Sequence, residues 1–332
     1  MVPSHARGKL AGLPGLMEIA GAIAMLSLTA GPAAAAPFTL GDLVAVVEMS
    51  PFPFPSYIVE LTPTGSQVQW IAVANLGDAV ARDIVIDAQG QAYLIDGRSQ
   101  SNLEKLDPSS GTWSSRTVAG WGTSDFYGHA GIALAQGSVL VTDAGTGASE
   151  GLIRFPSGAG TPDRPLQSVD YTDVVTGLDG NVYALDTQGG NDGVAVDVLD
   201  PGSLALLRRV TLPPGLAARG LAVDAAGHIF VASWQAAVYR LSASGVLEAS
   251  SSLASLGLSP QALIDIDVTS GGQLVMGSST GGVLITSTTF DPARSMSVNL
   301  GNYGVSTFVG IVPALATPVR RSTWGELKSR FH

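Results

Sequence analysis

The 332-residue sequence contains no cysteine. Disulfide cross-links, thiol catalysis and cysteine-based metal sites are therefore excluded, and the fold must rest on its core. Charge is also scarce, at 13% of residues, and positive charge is the scarcer sign, with 17 Lys and Arg against 27 Asp and Glu. Between residues 36 and 313 the imbalance is 11 against 25, a net of −14, which argues against nucleic acid as a partner. Neither a Gly-Lys-Ser phosphate loop nor a His-Glu-x-x-His motif occurs. The same stretch lacks sustained 3.6-residue periodicity, which excludes a helical body.

Glycine and proline, by contrast, are abundant, with 41 and 19 copies. They punctuate a phrase that returns about every 45 residues: an apolar strand, a glycine turn and a second apolar strand. Asp83 to Asp96 and Arg219 to Ser233 are the clearest copies. The turn glycines Gly90, Gly137, Gly180, Gly227 and Gly272 are spaced 47, 43, 47 and 45 residues apart. A fixed period of this size, carrying strands, is the signature of propeller blades. Third strands are expected at Leu103–Leu106, Leu152–Phe155, Val194–Leu199, Ala237–Leu241 and Val283–Thr286, mostly closed by Pro, Gly and Ser turns. Outermost strands are expected at Gln67–Ala72 and Thr112–Val118.

Five copies leave a partial blade at each end, Leu43–Val47 with Tyr57–Gly65, and Thr307–Val312. Pairing the C-terminal strand with the N-terminal ones completes a sixth blade and removes two open sheet edges. The fold class is thus all-β, a six-bladed β-propeller over residues 36–313 closed by its N- and C-terminal strands, with a short C-terminal helical tail.

The repeat resembles the NHL family of propellers, whose units run strand, Asp-x-x-Gly turn, strand, Asp, strand. Asp87-Ala88-Gln89-Gly90 with Asp96, and Asp224-Ala225-Ala226-Gly227, follow it best, while Leu134, Gly177 and Thr269 stand where the first Asp belongs. Propellers of the gluconolactonase, regucalcin and streptogramin-lyase types share the pattern. Lactonase resemblance implies a Glu, Asn and Asp set converging on one metal; Glu48 and Glu60 fall on outer strands.

The first 35 residues form a separate text. His5, Arg7 and Lys9 make a basic start, Ile19–Ala30 an apolar stretch, and Ala33–Ala36 a small-residue cleavage site. A signal peptide over 1–35, cleaved after Ala35, predicts export to the periplasm, cell surface or medium, with no membrane span remaining. Residues 314–332 invert the charge of the body to +3, with Arg320, Arg321, Lys328 and Arg330 against Glu326. There Thr323 and Glu326 fit a capping box, and Trp324, Leu327 and Phe331 fall on one helical face. The tail reads either as a helix against the acidic body or as a segment for envelope association.

Seven residues before each turn glycine stand Asp83, Ala130, Asp173, Gly220 and Asp265. Three carboxylates on alternate blades around a channel suit a hard cation such as Ca²⁺ or Mg²⁺, with Asp267 as a further ligand. The same carboxylates also suit a structural task, accepting hydrogen bonds from backbone amides where each inner strand begins. His129, near Asp125 and Tyr127, is the histidine best placed for acid–base catalysis. His228 belongs to the turns, and the column Asp96, Asp143, Asp186 repeats as structural residues do. Two Gly-x-Ser-x-Gly stretches, at Gly147–Gly151 and Gly277–Gly281, lead into strands where a nucleophile elbow needs a helix.

Two functional classes follow. One is an exported, noncatalytic propeller that binds a protein, glycan or small ligand. The other is a metal-dependent lactonase or lyase of the gluconolactonase or streptogramin-lyase type. Loops that break the repeat, Met49–Pro55 and Gly145–Glu150, are the expected seats of specificity.

Overall fold

The computed structural model describes residues 36–49, 56–73, 81–96, 101–121, 130–143, 150–156, 160–188, 190, 192–300 and 304–313. Their strands form six four-stranded antiparallel sheets, the blades of a propeller. Blade 2 runs outward from the channel as β4 (Ala81–Ile86), β5 (Ala92–Asp96), β6 (Asn102–Asp107) and β7 (Thr112–Thr117). Blade 3 is β8 (Ile132–Ala135), β9 (Ser138–Asp143), β10 (Gly151–Pro156) and β11 (Asp163–Gln167). Blade 4 is β12 (Tyr171–Thr176), β13 (Val182–Asp186), β14 (Ala195–Leu199) and β15 (Leu206–Thr211). Blade 5 is β16 (Ala218–Val223), β17 (Ile229–Ser233), β18 (Ala237–Leu241) and β19 (Leu247–Ser252). Blade 6 is β20 (Leu263–Val268), β21 (Gln273–Ser278), β22 (Gly282–Ser287) and β23 (Met296–Asn299). Blade 1 is composite: β1 (Leu43–Met49), β2 (Ser56–Leu61) and β3 (Gln67–Ala72) take their innermost partner from β24 (Gly304–Ile311), with Leu43 opposite Ile311 and Val47 opposite Thr307.

Alternating side chains put one face of each sheet against the preceding blade and the other against the following one. The apolar residues accordingly gather into six clusters, one per blade interface. Leu221 and Val231 face blade 4 while Ala222 and Phe230 face blade 6. Each buried side chain of this size contributes roughly 1.5–3 kcal/mol, so the ring of interfaces replaces the single core of a sandwich. Among the described residues the helical turns are two 3₁₀ segments, Ala254–Leu256 and Pro292–Arg294, and no helix is long and apolar enough to cross a membrane.

Turn chemistry explains the period. Asp87 Oδ1 accepts from the amides of Gln89 and Gln91, both at 2.9 Å, and lets Gly90 take φ 78°. Asp224 does the same for Ala226 and His228, and the Thr269 hydroxyl substitutes in blade 6, accepting from Gln273 at 3.0 Å. Blade 3 departs from the expectation. There Gln136 and Gly137, with φ 45° and 76°, join Ala135 to Ser138 in a two-residue turn. This shorter turn shifts the count by one, because Ile132 pairs with Val141 at the level where Ile84 pairs with Leu94. The inner-strand column therefore holds Gly131, and Ala130 lies outside it.

Candidate functional site

With that correction the inner-strand column reads Asp83, Gly131, Asp173, Gly220, Asp265 and, from β24, Phe308. Acids occupy blades 2, 4 and 6. A register shift marks this level in blades 2, 4, 5 and 6, and such a bulge re-aims a side chain and frees amides from the ladder. The carboxylates take up amides at this level, four of them beside those bulges and two, Ile132 and Val309, where the register is regular. Asp83 accepts from Ile84 at 2.7 Å and from Ile132 of the next blade at 2.8 Å. Asp173 accepts from Val174 and, across the next interface, from Leu221 at 2.7 Å. Asp265 accepts from Ile266 and Val309, both at 2.7 Å. Three carboxylates thus bind six inner-strand amides and clamp blades 2 to 3, 4 to 5 and 6 to 1.

At two of the seams between the clamps the backbones also meet closely. A Cβ at Gly131 would lie 2.2 Å from the Val174 nitrogen, and one at Gly220 would lie 2.8 Å from the Asp265 Cα. From blade 2 to blade 6 acids thus alternate with glycines, which admit the neighbouring backbone, while blade 1 holds Phe308.

All three belt carboxylates are buried. Desolvation, with Asp265 and Asp173 nearby, pushes Asp83 well above the usual carboxylate range. Burial and Asp265 push Asp173 up to about 8, and burial pushes Asp265 up to about 6, against the downward pull of the amide bonds.

One pleat further along the channel the ring reads Val85, Ala133, Val175, Ala222, Asp267 and Gly310. Asp267 is the lone polar side chain in it. One of its oxygens accepts from Val268 at 2.7 Å, and the other has no hydrogen bond among the described residues. Burial, followed by the Asp265 charge, pushes its carboxyl up to about 7. It lines a cavity of about 110 Å³ with Asp83, Asp265, Val85, Val175 and Val309. A larger cavity of about 470 Å³ lies at the seam of blades 6 and 1, lined by Thr269, Gly271, Gln273, Ser287, Arg294 and Val312.

Asp83, Asp173, Asp265 and Asp267, the residues expected to hold a metal, stand on the inner strands close enough to feel one another's charge. A Ca²⁺ or Mg²⁺ ion among the first three would compete with six amides for the same oxygens. Among the described residues, no three of His, Asp and Glu are grouped as a metal-holding set. His129, Asp125 and Tyr127 lie outside the described residues, as do the leader 1–35, the tail 314–332 and the loop residues 50–55 and 144–149. His228 is a turn residue: its Nδ1 lies 2.8 Å from Asp224, and its Nε2 lies 3.6 Å from Glu248. Gly277–Gly281 joins β21 to β22, with the Ser278 hydroxyl accepting from Gly282 at 3.0 Å.

The second-strand column ends in turn caps: Asp186 accepts from Gln188 at 2.8 Å and Ser233 from Gln235 at 3.0 Å. Two members are also ion-paired to outer-strand arginines, Asp143 to Arg164 and Asp186 to Arg209. Those arginines stand on β11 and β15, strands that carry little hydrophobic pattern.

No protein-family model matches the chain, and no curated protein matches it. Solved structures do. A protein of unknown function from Bacteroides caccae is 10% identical over 81% of this chain and 98% of its own, with a TM-score of 0.55. The PQQ-bound aldose sugar dehydrogenase of Streptomyces coelicolor is 15% identical over 70% of this chain and 85% of its own, with a TM-score of 0.52. A gluconolactonase of Xanthomonas campestris is 14% identical over 72% of this chain and 83% of its own, with a TM-score of 0.49. The chain is a six-bladed β-propeller. At these identities the likeness is one of fold, and chemistry has to be argued from the residues of this ring.

Proposed function

We propose that this propeller hydrolyses a cyclic ester of a sugar-derived substrate at its channel, in the manner of gluconolactonase-type enzymes, with Asp267 as the proton-transfer group. The observation that carries the reading is the break in repetition: Asp267 is the single acid in its ring, faces a cavity, and keeps one oxygen without a hydrogen bond among the described residues. A carboxyl held at about 7 by burial is populated in both forms near neutrality, as general acid–base work requires. As carboxylate it takes a proton from water while the water oxygen adds to the ester carbonyl. The ring C–O bond then breaks, and the proton passes to the departing alkoxide oxygen, leaving a hydroxy acid. A propeller of like fold that handles an aldose supports the choice of a sugar-derived substrate.

A pH-stat screen of sugar lactones, with and without Ca²⁺ and Mg²⁺, tests this. Turnover by the wild type that falls by about 100-fold or more in Asp267→Asn is expected. Turnover that survives the substitution overturns the assignment. The second reading, noncatalytic binding of a protein, glycan or small ligand, is favoured by the full use of the belt oxygens by backbone amides and by the ligand-sized seam cavity. Retention of a panel compound without turnover supports it. The signal over 1–35 and the basic tail extend either reading to an exported protein held at the envelope; a deletion of 314–332 that leaves release into the medium unchanged removes the tail from that account.

A further inference from the structure

Blades 2 and 4 carry the same buried acid pair but not the same partners. In blade 4, Asp186 ends β13, and Asp197 lies on β14 opposite Ala184 and next to Arg209 of β15. The Arg209 guanidinium bonds both acids, and the Tyr171 hydroxyl donates to Asp197 at 2.7 Å. The matching register in blade 2 places Asp96 at the end of β5 and Glu104 opposite Leu94, with Ser115 where blade 4 has Arg209 and Ala81 where it has Tyr171. Two bulky side chains that complete the blade 4 pair are replaced by two small ones.

The acids remain buried, with Asp96 3% and Glu104 7% exposed. Neither forms an ion pair among the described residues. Asp96 Oδ1 is fully enclosed and has no hydrogen-bond partner among the described residues, although a buried carboxylate oxygen ordinarily has one. Burial and the neighbouring Glu104 push Asp96 up to about 7, and burial raises Glu104. The pair is enclosed and keeps an unfilled acceptor, and among the described residues no cation takes the place that Arg209 fills in the sister blade.

We infer that blade 2 binds a divalent cation of the Ca²⁺ type between Asp96 and Glu104, in the position that the Arg209 guanidinium fills in blade 4. The donors are hard oxygens, the two carboxylates and the Ser115 hydroxyl that bonds Glu104, and water completes the six to eight ligands that Ca²⁺ takes; the Asn102 amide donates to Asp96 and holds that carboxylate in place. The site lies on the blade 1 side of blade 2, away from Asp267, and is independent of the channel reaction.

Calorimetric titration of the chelator-treated full chain with CaCl₂ at pH 7.5 tests the inference. Expected are one Ca²⁺ per chain for the wild type and for Asp267→Asn, and loss of binding in Asp96→Asn and in Ser115→Arg. The last variant restores the blade 4 arrangement at an exposed position and so keeps the fold. No Ca²⁺ bound by the wild type, or binding unchanged in folded Ser115→Arg, overturns the proposal. Binding lost in Asp267→Asn alone places the ion in the channel and overturns it equally.

Discussion

Blades 2 and 4 hold equivalent places in the ring, each clamped to its neighbour by a belt acid and each carrying two more acids, one on the second strand and one on the third, yet blade 4 neutralises its pair with Arg209 while the described residues of blade 2 supply no such arginine. In a repeat protein the conserved half of such a pairing is architecture, and the missing half marks where something other than the chain is needed. The same logic singles out Asp267, the one acid in an otherwise apolar ring.

The comparison is broken most severely from the blade 4 side. Arg209→Ala leaves Asp186 and Asp197 buried with the Gln188 amide and the Tyr171 hydroxyl as their polar support; since Arg209 is itself 37% exposed, the loss falls toward the low end for a buried pair, about 2–3 kcal/mol by urea unfolding. Asp96→Asn in blade 2 should act in the opposite direction when divalent ions are chelated. The folded-state value of Asp96 is raised, so its contribution to stability is full below about pH 4 and is lost as pH rises through about 7. Removing the charge should stabilise the protein by about 1–2 kcal/mol at pH 8 and flatten this part of the pH profile. An unchanged profile would mean that Asp96 is already paired. Tyr171→Phe deletes one hydrogen bond to a carboxylate that keeps its arginine, about 1.5 kcal/mol by the same unfolding assay. Asp267→Asn removes a carboxyl whose folded-state value is likewise raised to about 7, so at pH 8 it should leave the fold intact and stabilise it by about 1 kcal/mol or less, separating its role in the channel from any role in the fold.

The blades were legible in the sequence because their inner strands are apolar on both faces and their turns use Asp, Thr and Gly in fixed order, as at Asp87–Gly90 and Thr269–Gly272. Outer strands such as Asp163–Gln167 and Met296–Asn299 were not, since one edge and much of their surface meet water and no alternation is enforced. The belt acids could be found by counting back from the turn glycines, and only the two-residue turn at Gln136-Gly137 misled the count. The Asp96–Glu104 pair escaped notice because its meaning lies in an absent arginine on the poorly patterned fourth strand. A column read across blades on that strand, Ser115 against Arg209, is the signal that would have revealed it.

Because each carboxylate ties one blade to the next and the intervening seams carry none, the six blades form three tied pairs, 2 with 3, 4 with 5 and 6 with 1. A ring built in this way parts first between the pairs. Under hydrogen exchange the amides of Ile84 and Ile132 should run on one clock, as should those of Val174 with Leu221 and of Ile266 with Val309, so that the propeller breathes as a three-membered object.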